Sequence, residues 1–396
     1  MTNHIIIHMH TCVYIRMTTF PFKFQYNRSL FPGKYIHNLV HTNVFAIRVK
    51  IADKIYSQVL STFDGSDSGG MCNWKWKVPP ASVKYHACFP RAWTVFTEPI
   101  PGLNVTIRQV SPFIPHSYSE SSFPTCCFHV VVENIQHKST DVEVSIMFCF
   151  ENGYEAGGST NSGSDEDSKD NLHGPFSVST DTDASSSDRV VGVCMSHSKR
   201  TKVKGRMVGG IWCPLGSTQG KDAHFIDQGS FSIATNDDGD GIVSFTEMMH
   251  VDSEHKETFS IFSSNNGNDG SSSSSASSSS CSTQTVWEAF HNTGHLTNDM
   301  ESVEKQAVTS KDSRRVASCI CKHKIIRVNN NENDKGNGNG NNNSSTFSFA
   351  LSWDHPVARF GSGMAVPRYY TRFFGDSGIK HVHIFTHTCM YNRIQT

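Results

Sequence analysis

The sequence predicts a mostly-β protein: an antiparallel β-sandwich with one short helix and long, low-complexity inserts. Three observations carry this. First, Val142, Val144, Ile146, Phe148 and Phe150 alternate with Glu143, Ser145, Met147 and Cys149, and Phe347, Phe349, Leu351 and Trp353 alternate with small or polar residues. An apolar residue at every second position is the period of a strand with one buried face. Second, helical spacing marks one short stretch, residues 286–296, through Val286, Trp287 and Phe290. Third, runs of serine, asparagine and glycine interrupt the chain at 155–188, 263–285 and 329–346. Such runs bury too little apolar surface to offset the entropy of ordering them.

The elements follow in order. Residues 1–19 form an unassigned leader. Phe20, Phe22, Phe24 and Tyr26 alternate as in a strand, and Pro32-Gly33 marks a turn. Residues 43–50 and 55–60 read as a hairpin around Ala52-Asp53-Lys54, and 64–70 as a loop. In residues 85–95, Phe89, Trp93 and Val95 are suited to fill a core beside Arg91. A strand from Val105 to Val110 is stopped by Pro112 and Pro115. Phe128, Val130 and Val132 then alternate, 134–141 turns, and 142–150 returns as the second arm of a long hairpin. Short apolar runs at 190–193 and 206–212 flank a basic stretch, 199–204, read as a solvated hairpin tip. A basic cluster of this kind could also touch anionic lipid. Strands are expected at 230–235, 242–249, 257–262 and 315–328, with a serine insert at 271–280.

The chain has 396 residues, a formal net charge of −1 and 37% hydrophobic residues. Near-zero charge offers no electrostatic basis for binding nucleic acid or a strongly acidic partner. The 12 cysteines are scattered without a CxxC pair, which reads as free thiols in a reducing compartment. Asn104-Val105-Thr106 is a glycosylation sequon, meaningful in a secreted chain. No apolar run approaches the ~20 residues of a spanning helix, and the start is a poor signal peptide.

Several residue clusters invite a chemical reading. Asn236, Asp238, Asp240, Gly241 and Glu247 fall on calcium-loop positions. A calcium loop of that type needs helices on both sides, whereas the flanks here are strand-like, and Asp-Gly between two such runs signals a hairpin. No metal site is therefore expected. Cys319, Cys321 and His323 share a strand face and read as packing, since zinc sites favour other spacings. Cys126-Cys127 read as packing or an exposed thiol pair. After Asp354-His355-Pro356 breaks the last strand, Arg359, Tyr369, Tyr370, Arg372, Phe373 and Phe374 crowd a short span. Aromatics and arginines at that density need a surface to lie against. Trp353, Asp354, Arg359, Tyr369, Tyr370 and Arg372 are the candidate interdomain or glycan-facing residues. A retaining glycosidase needs two carboxylates about 5 Å apart, and no motif identifies such a pair or any catalytic residue.

The stretches LSWDHPVARFG and YYTRFFG within 347–375, YHACFPRAWTV at 85–95, and residues 31–61, 110–134 and 141–153 carry a resemblance. They resemble the N-terminal domain of the non-lysosomal glucosylceramidases, the bile-acid β-glucosidase type in glycoside hydrolase family 116. The resemblance spans roughly residues 22–375, broken by the inserts, and the domain is taken as 20–375 with an unassigned tail at 376–396. It implies a β-sandwich followed by a larger (α/α)6 catalytic domain that holds both catalytic carboxylates and is absent here. It also implies hydrolysis of glucosylceramide to glucose and ceramide, with retention and no cofactor, at the cytosolic face of endoplasmic reticulum or Golgi membranes, with peripheral membrane association. The chain alone is then expected to be inactive. The alternative is a stand-alone sandwich that binds carbohydrate or a protein partner through exposed aromatics.

Overall fold

Alternation in this chain becomes strands because valine, isoleucine and phenylalanine fill a pleated, half-buried surface well. The computed structural model describes residues 42–65, 69–137, 140–152, 170–179, 189–208, 211–214, 221–251, 260–261, 281–299, 308–310, 315–327, 343–359 and 365–374. In chain order the strands are β1 (Val44–Ile51), β2 (Lys54–Val59), β3 (Val83–Cys88), β4 (Arg91–Ile100), β5 (Leu103–Val110), β6 (Thr125–Asn134) and β7 (Val142–Glu151). Then come β8 (Asp170–Ser179), β9 (Arg189–Val208), β10 (Ile211–Pro214), β11 (Lys221–Asp237), β12 (Ile242–His250), β13 (Ser260–Ile261) and β14 (Cys281–Ser282). The last are β15 (Asn298–Asp299), β16 (Val308–Ser310), β17 (Val316–Ile326), β18 (Ser344–Asp354), β19 (Val357–Arg359) and β20 (Ala365–Pro367). Three α-helices are described, α1 (Tyr118–Ser121), α2 (Thr283–Thr293) and α3 (Thr371–Phe374), beside two 3-10 turns at Gly69–Met71 and Pro80–Ser82.

Among the described residues, one sheet runs β14-β12-β17-β7-β1-β2, with β15 also on β12. A second runs β13-β16-β8-β9-β11-β18-β6-β5-β4-β3, with β10 also on β9, and β19 and β20 pair as a two-stranded third. Pairing is antiparallel except for the two-residue contact of β14 with β12. The first two sheets share one core. Phe45 and Phe148 of the first sheet stack at 4.5 Å, while Phe128 and Phe349 of the second meet Phe45 edge-on at 5.4 and 5.6 Å. Each such ring, fully buried, contributes about 1.5–3 kcal/mol of transfer free energy.

The opposite face of the first sheet is also apolar, and α2 covers it. Ala46, Met147, Cys149, Cys319 and Cys321 pack there with Val286, Trp287 and Phe290 of the helix. Trp74 stacks on Trp287 at 4.9 Å and its Nε1 donates to Thr283 O. Ser282 Oγ accepts from Thr285 N and caps the helix start. Gly294, at φ 80°, ends the helix in the left-handed region, and Arg48 from the sheet donates to the last-turn carbonyls of His291 and Asn292.

Most expected elements appear: the β1–β2 hairpin, β5, β12, β17, β18 and the single tryptophan-bearing helix. Five details differ. Residues 128–132 and 142–150 do not form a hairpin, because β6 pairs with β5 and β18 while β7 pairs with β1 and β17 in the other sheet. The Asp-Gly turn at 238–241 likewise joins β11 of one sheet to β12 of the other. In the first half of β4 the buried positions are Ala92, Thr94 and Phe96, so Trp93 and Val95 lie on the opposite face, where Trp93 stacks on His86. The basic stretch 199–204 is no turn: it lies inside β9 and pairs in continuous register with β11. Part of the 155–188 insert forms β8, whose Phe176 is buried. The expected strand at 20–26 and the serine run at 271–280 lie outside the described residues, as does most of 257–262, of which 260–261 form β13.

Candidate functional site

β18 ends where proline follows, and its last residues are held from behind. Trp353 and Asp354 are buried, as is Tyr370. Tyr370 Oη donates to Asp354 Oδ1 at 2.7 Å and accepts from His355 N at 2.8 Å. Burial, with the charge of Asp354, pushes the Tyr370 hydroxyl well above its ordinary range, so it stays a donor. His355 is buried against Phe231 at 5.1 Å and against the backbone of Gly229, where any Cβ would run into the imidazole. This corner is packed scaffold. Trp353, Asp354 and Tyr370 therefore present nothing to a glycan in this conformation.

The solvent-facing part of the same region lies just beyond. Arg372 sits over the Tyr369 ring at 5.4 Å, and Tyr369 meets Phe373 edge-on at 5.5 Å. Phe373 leads to Phe374, which stacks on Phe123 at 4.8 Å. Phe123 follows α1, whose preceding loop is closed by Ser121 Oγ bonding both the N–H and the carbonyl of Ile114. Phe373 is 42% exposed, and the segment before and through α1 carries two more exposed aromatics, Phe113 (50%) and Tyr118 (65%). Val357 and Val366 of the β19–β20 hairpin are exposed as well, and Arg368 N ties that hairpin to α3 by donating to Pro356 O. Arg359 closes β19, and its side chain is outside the described residues. The structure thus keeps Tyr369 and Arg372 of the expected surface residues accessible. Phe373, in the same aromatic span, is exposed as well, and Phe113, which meets Phe89 edge-on at 5.4 Å, and Tyr118 of α1 are further exposed aromatics that the sequence reading did not single out.

The calcium-like loop is organised around lysine. Lys322 Nζ, on buried β17, donates to Asn236 O (2.7 Å), Asn236 Oδ1 (3.2 Å) and Asp238 Oδ1 (2.9 Å). Lys324 Nζ lies 2.9 Å from Asp240 Oδ2. Burial alone would raise the Asp238 carboxyl, but the hydrogen bond and charge of Lys322, helped by Lys324, hold it below its ordinary value. Glu247 is turned away on β12: its Oε2 accepts from Asn298 Nδ2, and burial raises its carboxyl. The oxygens at three of the calcium positions thus surround ammonium groups.

The cysteines of β17 pack. Cys319 and Cys321 are buried under α2, and Cys149 Sγ lies 2.8 Å from Cys319 Sγ. Burial, then the neighbouring thiol, pushes Cys149 well up, so it is protonated and unreactive near neutrality. His323 lies farther along the strand, with Nδ1 at 2.9 Å from Ser145 Oγ. Among the described residues no cluster of three or more histidine, cysteine or acidic side chains could hold a metal ion. Cys126 keeps a thiol that donates to Cys127 O while Cys127 is disulfide-bonded, so the adjacent pair is not joined to itself, and the expectation of free thiols fails at Cys127.

The sequence model of the family described as beta-glucosidase 2, glycosyl-hydrolase family 116 N-term, matches residues 23–395. The chain belongs to this family. As a family 116 N-terminal domain it has a scaffold where the motifs fall: YHACFPRAWTV is the β3–β4 hairpin, and LSWDHP is the end of β18 with its Tyr370 buttress. Lys322 and Lys324 escaped the sequence reading because alternation in 315–328 marks the strand but not the loop its lysines reach.

Proposed function

We propose that this chain is the N-terminal β-sandwich of a retaining β-glucosidase of the non-lysosomal glucosylceramidase type. The complete protein hydrolyses glucosylceramide to glucose and ceramide at the cytosolic face of endoplasmic reticulum or Golgi membranes. The catalytic carboxylates belong to an (α/α)6 domain, and the sandwich packs on that domain through the aromatic surface of Phe113, Tyr118, Tyr369 and Phe373. The family match over residues 23–395 carries this reading. Two further observations support it. Tyr369 and Phe373 meet at α3, just after the end of β18, with Phe373 exposed, and exposed aromatic patches mark interaction surfaces. No helix among the described residues is long and apolar enough to cross a membrane, in keeping with peripheral association. The domain takes residues 20–375 as its working bounds.

The test is turnover of a fluorogenic β-glucoside and of glucosylceramide by the purified chain, beside the same chain joined to a family 116 catalytic domain. The joined protein turns over both substrates and the chain alone gives the blank rate. Turnover by the chain alone would place the catalytic pair within it. A second reading is a stand-alone module that binds carbohydrate or protein. The exposure of Phe373 and the Arg372–Tyr369 stack favour it, and it predicts glycan binding that Phe373→Ala abolishes without loss of folding.

A further inference from the structure

The outer face of the second sheet, turned away from the core, carries unbalanced positive charge at its β3–β4–β5 end. Strand register sets one row across it: His86 opposite Trp93, Trp93 opposite Arg108, and Arg108 opposite His129. The rows on either side add Arg91, opposite Val110, and Lys84, opposite Val95. These positions alternate along β4 with the buried Ala92, Thr94 and Phe96, so they share the outward side.

Lys84, Arg91 and Arg108 are exposed, and none of their side chains has an ion-pair or hydrogen-bond partner among the described residues. Two carboxylates border the patch. Glu133 stands opposite Asn104, four residues along β5 from Arg108. Glu98, near the β4–β5 turn, already accepts from Gly102 N and Gln136 Nε2. Within the patch the field is positive: burial, then the charge of Arg108, lowers the neighbouring His129 imidazole. From β3 to β5 is two strand spacings, and from the Arg91 row to the Lys84 row is four residues. The cations are therefore spread over about 10 by 13 Å, more than one phosphate can span. Val95, Thr106 and Val110 lie between them, short side chains that build no walls.

The shape of the face narrows the partner. An extended peptide needs a sheet edge or a groove, and this is a face of side chains. A stacked nucleic-acid base needs an open aromatic ring, whereas Trp93 is half-buried with His86 stacked on it at 5.3 Å, the planes 17° apart. A bilayer surface is flat and presents many anions at once, and tryptophan suits the boundary between head groups and water. We infer that the outer face of β3–β5 docks on an anionic bilayer surface, with Lys84, Arg91 and Arg108 against the lipid head groups and Trp93 among them. This gives the peripheral association of the β-glucosidase reading a contact face, and it rests on that reading only for why the chain meets a membrane. Vesicle binding and glycoside turnover are separate measurements, so either can fail without the other.

The experiment sediments the full chain with vesicles of phosphatidylcholine alone, or of phosphatidylcholine with about 30% phosphatidylserine. Binding is expected on the anionic vesicles only, and it weakens as salt is raised, because exposed charges are screened. Arg91→Gln and Arg108→Gln each weaken it about fivefold, and together about 25-fold. Lys54→Gln, an exposed lysine of the other sheet, leaves it unchanged. Brominated lipid quenches part of the tryptophan fluorescence, and Trp93→Phe removes that quenching. Circular dichroism and melting temperature of the variants stay those of the parent chain, which separates a lost face from a lost fold. Equal binding to both vesicle types, or anionic binding that the double variant retains, overturns the inference. So does a loss in Lys54→Gln as large as in the arginine variants, which would make net charge the cause. Tighter binding to polyglutamate than to the vesicles also overturns it, and would assign the face to an acidic protein.

Discussion

Lys322 shows how a single side chain redirects a motif. The spacing of Asn236, Asp238 and Asp240 fits calcium, yet their oxygens lie around an ammonium that is 1% exposed. Breaking a buried charge pair by removing one partner costs about 3–5 kcal/mol. Asp238 retains 29% exposure, so solvent screens part of that loss. Lys322→Met is therefore expected to lower stability by about 2–3 kcal/mol in denaturant unfolding, with Asp240→Asn near neutral because Asp240 is largely exposed. Calcium titrated into the parent chain is expected to give no heat at millimolar concentration. Burial, then the neighbouring His295, lowers the His323 imidazole from 6.5 to about 4. Between those values the unfolded chain binds a proton that the folded chain refuses, so this residue's contribution to stability is full above 6.5 and falls as pH drops through the window. His323→Gln should flatten that slope. Denaturant midpoints at about pH 7 and about pH 5 check it, and an unchanged slope would show that His323 titrates normally.

At the scale of elements, the sequence carries faces more reliably than partners. Phe347, Phe349, Leu351 and Trp353 are all buried in the shared core, as their alternation requires. The same kind of pattern in 128–132 and 142–150 marks two inner faces, but both arms of a hairpin and two strands facing each other across a sandwich alternate alike. Register and partner are set by long-range pairing, which no local period records. The parity of β4 was illegible for a related reason. Trp93 and Val95 outweigh Ala92 and Thr94 in hydrophobicity, yet Phe96 fixes the inward face. The basic run 199–204 hid a strand because its charges mimic a solvated turn. Helix α2 was legible from Val286, Trp287 and Phe290, and its stop is local too. Gly294 combines a φ of 80° with neighbours that leave no room, since a Cβ would come 2.7 Å from Ser145 Oγ and 3.0 Å from Arg48 Nη1. Gly294→Ala should therefore destabilise by more than about 1 kcal/mol, visible as a lower denaturant midpoint. A neutral outcome would mean that the Arg48 clamp yields easily.

For the whole molecule, two apolar clusters back to back on one sheet give the sandwich its rigidity, and the aromatic end beyond β18 gives it a face to offer. The candidate site was half legible. Sequence density pointed to 369–374, but it could not separate buried Tyr370 from exposed Phe373 one helical turn away. It also gave no sign that Phe113 and Tyr118 are exposed. The most direct test of the central claim is association of this chain with a separately produced family 116 (α/α)6 domain, read by calorimetry alongside β-glucosidase activity. The account predicts a complex that raises activity above that of the catalytic domain alone, and weakened at least tenfold by Tyr118→Asp with Phe373→Asp, with folding intact. No complex, or one indifferent to both substitutions, would contradict it.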